Sequence, residues 1–147
     1  MRLELTKRGD YAVRAMLALA RSRDGGLLPA RRIADSMGIP VRFLPQVLGD
    51  LQRGGFVEAE LGRAGGYRLV RDPATVDLLS IIEAVEGDSR RQSCVLRRGP
   101  CGNDDTCDVH DVFSAGQEAL LATLASVTLE DLVRRGVSAG AHGDPRS

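Results

Sequence analysis

Apolar residues recur at three- and four-residue spacing between Thr6 and Arg21, where Tyr11, Ala12, Ala15, Met16, Leu19 and Ala20 would line one helical face. Thr6 stands ahead of them as an N-cap, so the pattern predicts a first helix, ended by Asp24-Gly25-Gly26. Pro29, at a predicted first helical position, opens a second helix, PARRIADSMG, in which Ile33, Ala34 and Met37 form a stripe that Gly38 terminates. Beyond Gly38-Ile39-Pro40, residues Phe43, Leu44, Val47, Leu48 and Leu51 restore helical spacing until Gly54-Gly55. Two short helices joined by a glycine-containing turn are the signature of a helix-turn-helix. Pro45 falls inside the third helix, where the missing N–H is expected to loosen or kink the first turn.

The period changes at Phe56. FVEAELGRAGGYRLV alternates apolar and polar positions on both sides of a glycine-rich tip, Gly62 to Gly66, and predicts a β-hairpin that serves as a wing. After Pro73, DLLSIIEAVEG (Asp77 to Gly87) reads as a compact apolar helix. From Val109 to about Ala125 a helix of roughly four turns carries Val112, Phe113, Leu120, Leu121 and Leu124, more apolar surface than one small domain covers, so a second copy of the chain is expected against it. Thr128 caps a last short helix, and the Gly- and Ser-rich end is expected to be a disordered tail. The expected fold is mainly α with a small β wing. It divides into a winged helix-turn-helix domain (1–72), a connecting helix (73–92), a cysteine-rich loop (93–110), a dimerisation helix with a short terminal helix (111–136) and a tail (137–147).

Aromatic residues make up only 3% of the chain, so the core must rely on Leu, Val, Ile and Ala. Charges run through the first fourteen residues with no long apolar stretch, which predicts a cytoplasmic protein without a membrane partner. Net charge is zero, but its halves differ: residues 1–72 hold 13 Lys and Arg against 8 Asp and Glu, and the remainder holds 7 against 12. A basic half can act as an electrostatic footprint for phosphates even in a neutral chain.

A helix-turn-helix sets the start of its second helix into the major groove. That helix begins near Pro40, and Arg42, Gln46 and Asp50 are its outward polar positions. Arg and Gln reach guanine and adenine edges bidentately, so Arg42 and Gln46 are the base-reading candidates on double-stranded DNA. Arg63 at the hairpin tip is placed for a minor groove or a phosphate, with Arg31, Arg32, Arg53 and Arg68 as phosphate contacts. Taken singly, each of these arginines is an ordinary solvated side chain; their order on helix, turn, helix and wing carries the reading.

All three cysteines fall in one window, Cys94-x6-Cys101-x5-Cys107-x2-His110. An odd cysteine count in a cytosolic chain argues against a disulfide framework and for soft-metal ligation. Zinc knuckles pair their ligands as Cys-x2-Cys, whereas these wider gaps suit an iron–sulfur cluster. Three thiolates leave one position to fill: His110 is the local candidate, and Asp10, from this chain or a second copy, the distant one. No phosphate loop or nucleophile–base pair suggests an enzyme.

Together, LTKRGDYAVRAMLALA, IADSMGIPVRFLPQVLGDLQRGGFVE, GRAGGYRL, the cysteine run and TLEDLV resemble the Rrf2 family of winged-helix regulators, up to about Gly136. The resemblance implies a dimer formed by the long helix and a two-iron or four-iron cluster whose state sets DNA affinity. Cys94, Cys101, Cys107 and His110 match the branch that holds a two-iron cluster, slightly favoured here. Asp10 matches the branch in which an aspartate crosses the dimer to a four-iron cluster and which responds to nitric oxide. The chain departs from the family pattern at Leu61-Gly62, where an Arg-Gly is usual, and at Pro45, which replaces a base-reading residue. Two rival functions are a metal-free thiol regulator sensing oxidants on the same fold, and an iron–sulfur scaffold protein that does not bind DNA.

Overall fold

The computed structural model describes residues 3–22, 25–89 and 107–138. Six α-helices and one hairpin make up these parts: α1 (Lys7–Arg21), α2 (Ala30–Met37), α3 (Leu44–Arg53), β1 (Val57–Glu60), β2 (Gly66–Leu69), α4 (Leu78–Glu86), α5 (His110–Ala125) and α6 (Leu129–Ser138). Single 3-10 turns at Val41–Phe43 and Pro73–Thr75 precede α3 and α4. The architecture is mainly helical with a two-stranded antiparallel wing, as the pattern predicts.

Helix starts follow local chemistry. The Thr6 hydroxyl accepts from the Gly9 N–H at 3.2 Å and the Asp77 carboxylate from the Ser80 N–H at 2.8 Å. At α6, Thr128 and Asp131 each accept the other's backbone N–H, at 3.0 and 3.1 Å, a reciprocal capping box. Gly38 closes α2 in the left-handed region, φ 64°, which costs a side-chain-bearing residue free energy. Both prolines sit earlier in their helices than the pattern suggests. Pro29 occupies the N-cap of α2 rather than its first turn. The segment from Val41 forms a 3-10 turn, and α3 proper starts at Leu44, so Pro45 lies in a first turn whose N–H groups have no intrahelical partner. There the missing N–H removes no intrahelical hydrogen bond. At the other end, α6 runs to Ser138, two residues into the segment read as a tail.

The core joins α1, α2, α3, α4 and α6: Met16, Ile33, Leu44, Leu48, Leu51, Ile81 and Leu129 are fully buried. Removing each from water contributes about 1.5–3 kcal/mol, so the aliphatic set carries a helical core almost without aromatics. Backbone bonds from Leu78 to Val127 (2.9 Å) and from Leu129 to Val76 (2.7 Å) bind the start of α6 to that of α4. The long helix is different. It packs on α4, buries only Leu121 below the surface, and leaves Leu120 and Leu124 half-buried, with Val112 72% and Phe113 42% exposed.

Candidate nucleic-acid interface and metal centre

Leu44, Val47, Leu48 and Leu51 anchor α3 in the core and thereby fix which residues point away. Arg42 and Gln46 are both exposed, one helical turn apart. The Arg42 guanidinium lies 4.8 Å from the centroid of the Phe43 ring, and that ring packs 5.6 Å from Tyr11 of α1. A cation held over an aromatic face keeps its charge while losing freedom, so Arg42 is partly ordered before any partner arrives.

Asp50 is not the outward residue that helical spacing suggests. Its side chain is only 12% exposed and accepts hydrogen bonds from Arg8 on α1 and Arg53 on α3. Burial alone would raise this carboxyl, but the two guanidinium bonds and charges outweigh it and hold the group below the usual carboxylate range. One carboxylate between two guanidinium groups leaves a net positive charge beside the exposed surface of α3. Arg8 is a residue the sequence reading missed; only its charge marked it.

The wing is positioned by its base. Tyr67 and Leu28 exchange backbone hydrogen bonds of 2.8 and 2.9 Å, and a Cβ on Gly66 would stand 2.7 Å from the Leu28 carbonyl, so β2 sits directly against the segment that leads into α2. At the tip, a side chain on Gly65 would overlap the Glu60 carbonyl, which keeps this turn tight. Arg63 projects from it, exposed, next to Leu61, which is 97% exposed. Arg68 is committed across the hairpin to Glu58, its register partner, and Arg53 to Asp50. Among the described residues, Arg31, Arg32, Arg42 and Arg63 of the predicted set are exposed and enter no ion pair, and of these Arg42 lies over the Phe43 ring.

Of the metal candidates, Cys94 and Cys101 lie outside the described residues. Cys107 is half-buried with a free thiol, and the His110 N–H donates to its carbonyl at 2.9 Å, so the two residues bracket the turn that starts α5. The His110 ring stands 3.5 Å from the Ser114 hydroxyl. Asp10 accepts from Arg14 Nε at 2.9 Å, and Arg14 Nη1 donates onward to the Met37 carbonyl at 3.1 Å, the last residue of α2. Among the described residues no three potential ligands gather. The donor chemistry of the cysteine segment, thiolates plus a neighbouring imidazole, fits an iron–sulfur cluster.

The model of the Rrf2 family, described as iron-dependent transcriptional regulators, matches residues 5–135. This chain belongs to the Rrf2 family. It is similar to the HTH-type transcriptional regulator IscR of Xenorhabdus nematophila, with 33% identity over 132 residues that cover 90% of this chain and 80% of that protein. Against IscR of Klebsiella pneumoniae the identity is 32%, covering 89% and 80%. Two solved structures superpose with TM-scores of 0.77: CymR, the global cysteine regulator of B. subtilis, at 26% identity over 91% of this chain and 98% of that one, and T. potens IscR at 25% over 97% and 94%. The Rrf2 chain described here is therefore a winged-helix transcription regulator resembling IscR, and not an enzyme. No helix among its described residues is long and apolar enough to cross a membrane.

Proposed function

We propose that this Rrf2 regulator works in the cytosol as a homodimer on double-stranded operator DNA, with its affinity set by an iron–sulfur cluster on Cys94, Cys101, Cys107 and His110. The observation that carries the reading is the one-turn spacing of Cys107 and His110 at the start of α5, whose Val112 and Phe113 stay uncovered in a single chain. Ligand and uncovered apolar surface thus share one element, so a change at the ligands acts directly on the proposed subunit contact. His110 is the fourth ligand on this reading; Asp10 is already engaged by Arg14 within its own helix. The set suits a two-iron cluster, with imidazole replacing one thiolate on an iron. The bound cluster supplies an oxidisable, nitric-oxide-reactive group, and a set with one imidazole exchanges more easily than four thiolates, which suits sensing of iron–sulfur supply, redox state or nitric oxide.

Native mass spectrometry on anaerobically purified protein tests this, because it weighs dimer and cluster together. The expected mass is two chains plus iron and sulfide; colourless monomers or a zinc adduct would sink the proposal. Cys107→Ala should abolish visible absorption. His110→Ala should strip or shift the spectrum while Asp10→Asn leaves it alone, and the reverse result would move the fourth ligand to Asp10.

The similarity to CymR favours a second reading, a metal-free thiol regulator on the same fold. It requires DNA binding that responds to oxidant in protein carrying neither iron nor sulfide.

A further inference from the structure

The start of the proposed reading helix carries apolar surface that its neighbours do not explain. Val41 is 50% exposed although it is β-branched and apolar, and Pro45, one helical turn later, is exposed as well. Arg42 and Gln46 are the residues that immediately follow each of them and are also exposed. This end of the helix therefore presents two exposed apolar residues, a short apolar row, each followed in sequence by an exposed hydrogen-bonding one.

We infer that Val41 and Pro45 read thymine C5-methyl groups in the major groove, beside the purine edges that Arg42 and Gln46 read. The inference rests on the DNA-binding role proposed above. Each base pair offers the major groove a distinct pattern, and the thymine methyl is its only apolar element. A glutamine that bonds adenine N6 and N7 faces a pair whose other base carries that methyl. An apolar row adjoining the glutamine is complementary to it. Pro45 strengthens the discrimination because it offers neither donor nor acceptor on its ring. Against a cytosine amino group it would leave that donor desolvated and unpaired, which disfavours G·C at the same step. Its fixed φ and its place in the first turn hold its own ring in place. The exposed arginines Arg31, Arg32 and Arg63 supply the charge that brings this surface to a phosphate polyanion rather than to an apolar protein partner.

The test uses the full-length protein and a random duplex pool, from which repeated selection isolates a tight-binding sequence. Each thymine of that duplex is then replaced singly by deoxyuridine, which removes only the methyl. Fluorescence anisotropy should show binding weakened about fourfold at one or two thymines, the equivalent of one lost methyl contact. Val41→Ser and Pro45→Ser, both at exposed positions, should bind the thymine and deoxyuridine duplexes alike, while Arg42→Ala keeps the methyl dependence and loses preference at guanine. A protein that enriches a sequence but is indifferent to every deoxyuridine, or whose methyl dependence survives Val41→Ser and Pro45→Ser, overturns the inference and leaves DNA binding intact. A protein that enriches no duplex at all overturns both.

Discussion

The backbone N–H of Thr6 donates to Oε1 of Glu86 at 2.9 Å, and the Thr6 hydroxyl donates to the same oxygen. A carboxylate from the last turn of α4 thus sits over the positive end of α1, beside Gly9, where a Cβ would overlap it. The contact joins the end of α4, after which the cysteine segment begins, to the helix that also holds Arg8.

Glu86→Ala should therefore cost about 0.5–2 kcal/mol, the usual loss for a helix cap. Gly9→Ala should depend on its background. In the native sequence the new methyl displaces Glu86 and cancels the gain in helix propensity; with Glu86→Ala in place it should stabilise by up to about 1 kcal/mol. Urea midpoints of the four proteins close the cycle, and additive effects would show that the carboxylate does not cap α1.

Asp50 gives a pH dependence of defined sign. Burial opposes its charge, but Arg8 and Arg53 depress its folded pKa below the unfolded value near 4, so its contribution is fully present above that pH. It is lost as pH falls through the lower, folded value. Asp50→Asn should lower stability at pH 7 and flatten the acid limb of stability against pH. An unchanged acid limb would mean that the two arginines do not hold the carboxylate in solution.

For DNA, Arg42→Ala should cost roughly 1–3 kcal/mol on a selected duplex and relax sequence preference, because it removes a base contact. Arg31→Ala should weaken selected and random duplexes alike and reduce the salt slope by about one, as loss of a phosphate contact does. Equal losses on both DNAs for Arg42→Ala would reassign it to the backbone.

Assembly should depend on the outer surface of α5. Leu120→Asp with Leu124→Asp places charges on half-buried positions of the helix that leaves Val112 and Phe113 uncovered. Sedimentation should then report monomers that retain the helical circular dichroism of the native chain, and a dimer of undiminished affinity would put the interface elsewhere.

The elements were legible in the sequence wherever their determinants are local. Thr6 and Thr128 announce helix starts through side chains that bond three residues away, and Gly38 ends α2 through its own φ. Pro45 shows how position changes meaning: the same residue breaks a helix interior and suits a first turn, and only the 3-10 turn at Val41–Phe43 decides which applies. Asp50 could not be read because its partner Arg8 lies 42 residues away, and helical spacing places residue 50 without saying what comes to meet it. Glu86 and Thr6 are 80 residues apart and hidden for the same reason. Of the metal candidates, the sequence cluster is plain, while the pairing of Asp10 with Arg14 emerges only from the fold.

The paired backbone bonds between Leu28 and Tyr67 tie the base of the wing to the segment that leads into α2. Helix pair and hairpin are thereby tied together, and in the proposed dimer the long helices set the distance between two such units. Adding a single base pair between half-sites turns one of them by about 35° around the duplex, since a turn takes about 10 base pairs. A freely swinging wing could absorb part of that rotation; one tied at its base absorbs less. Changes in operator spacing should then be tolerated best in whole helical turns, making the regulator a gauge of length as well as of sequence.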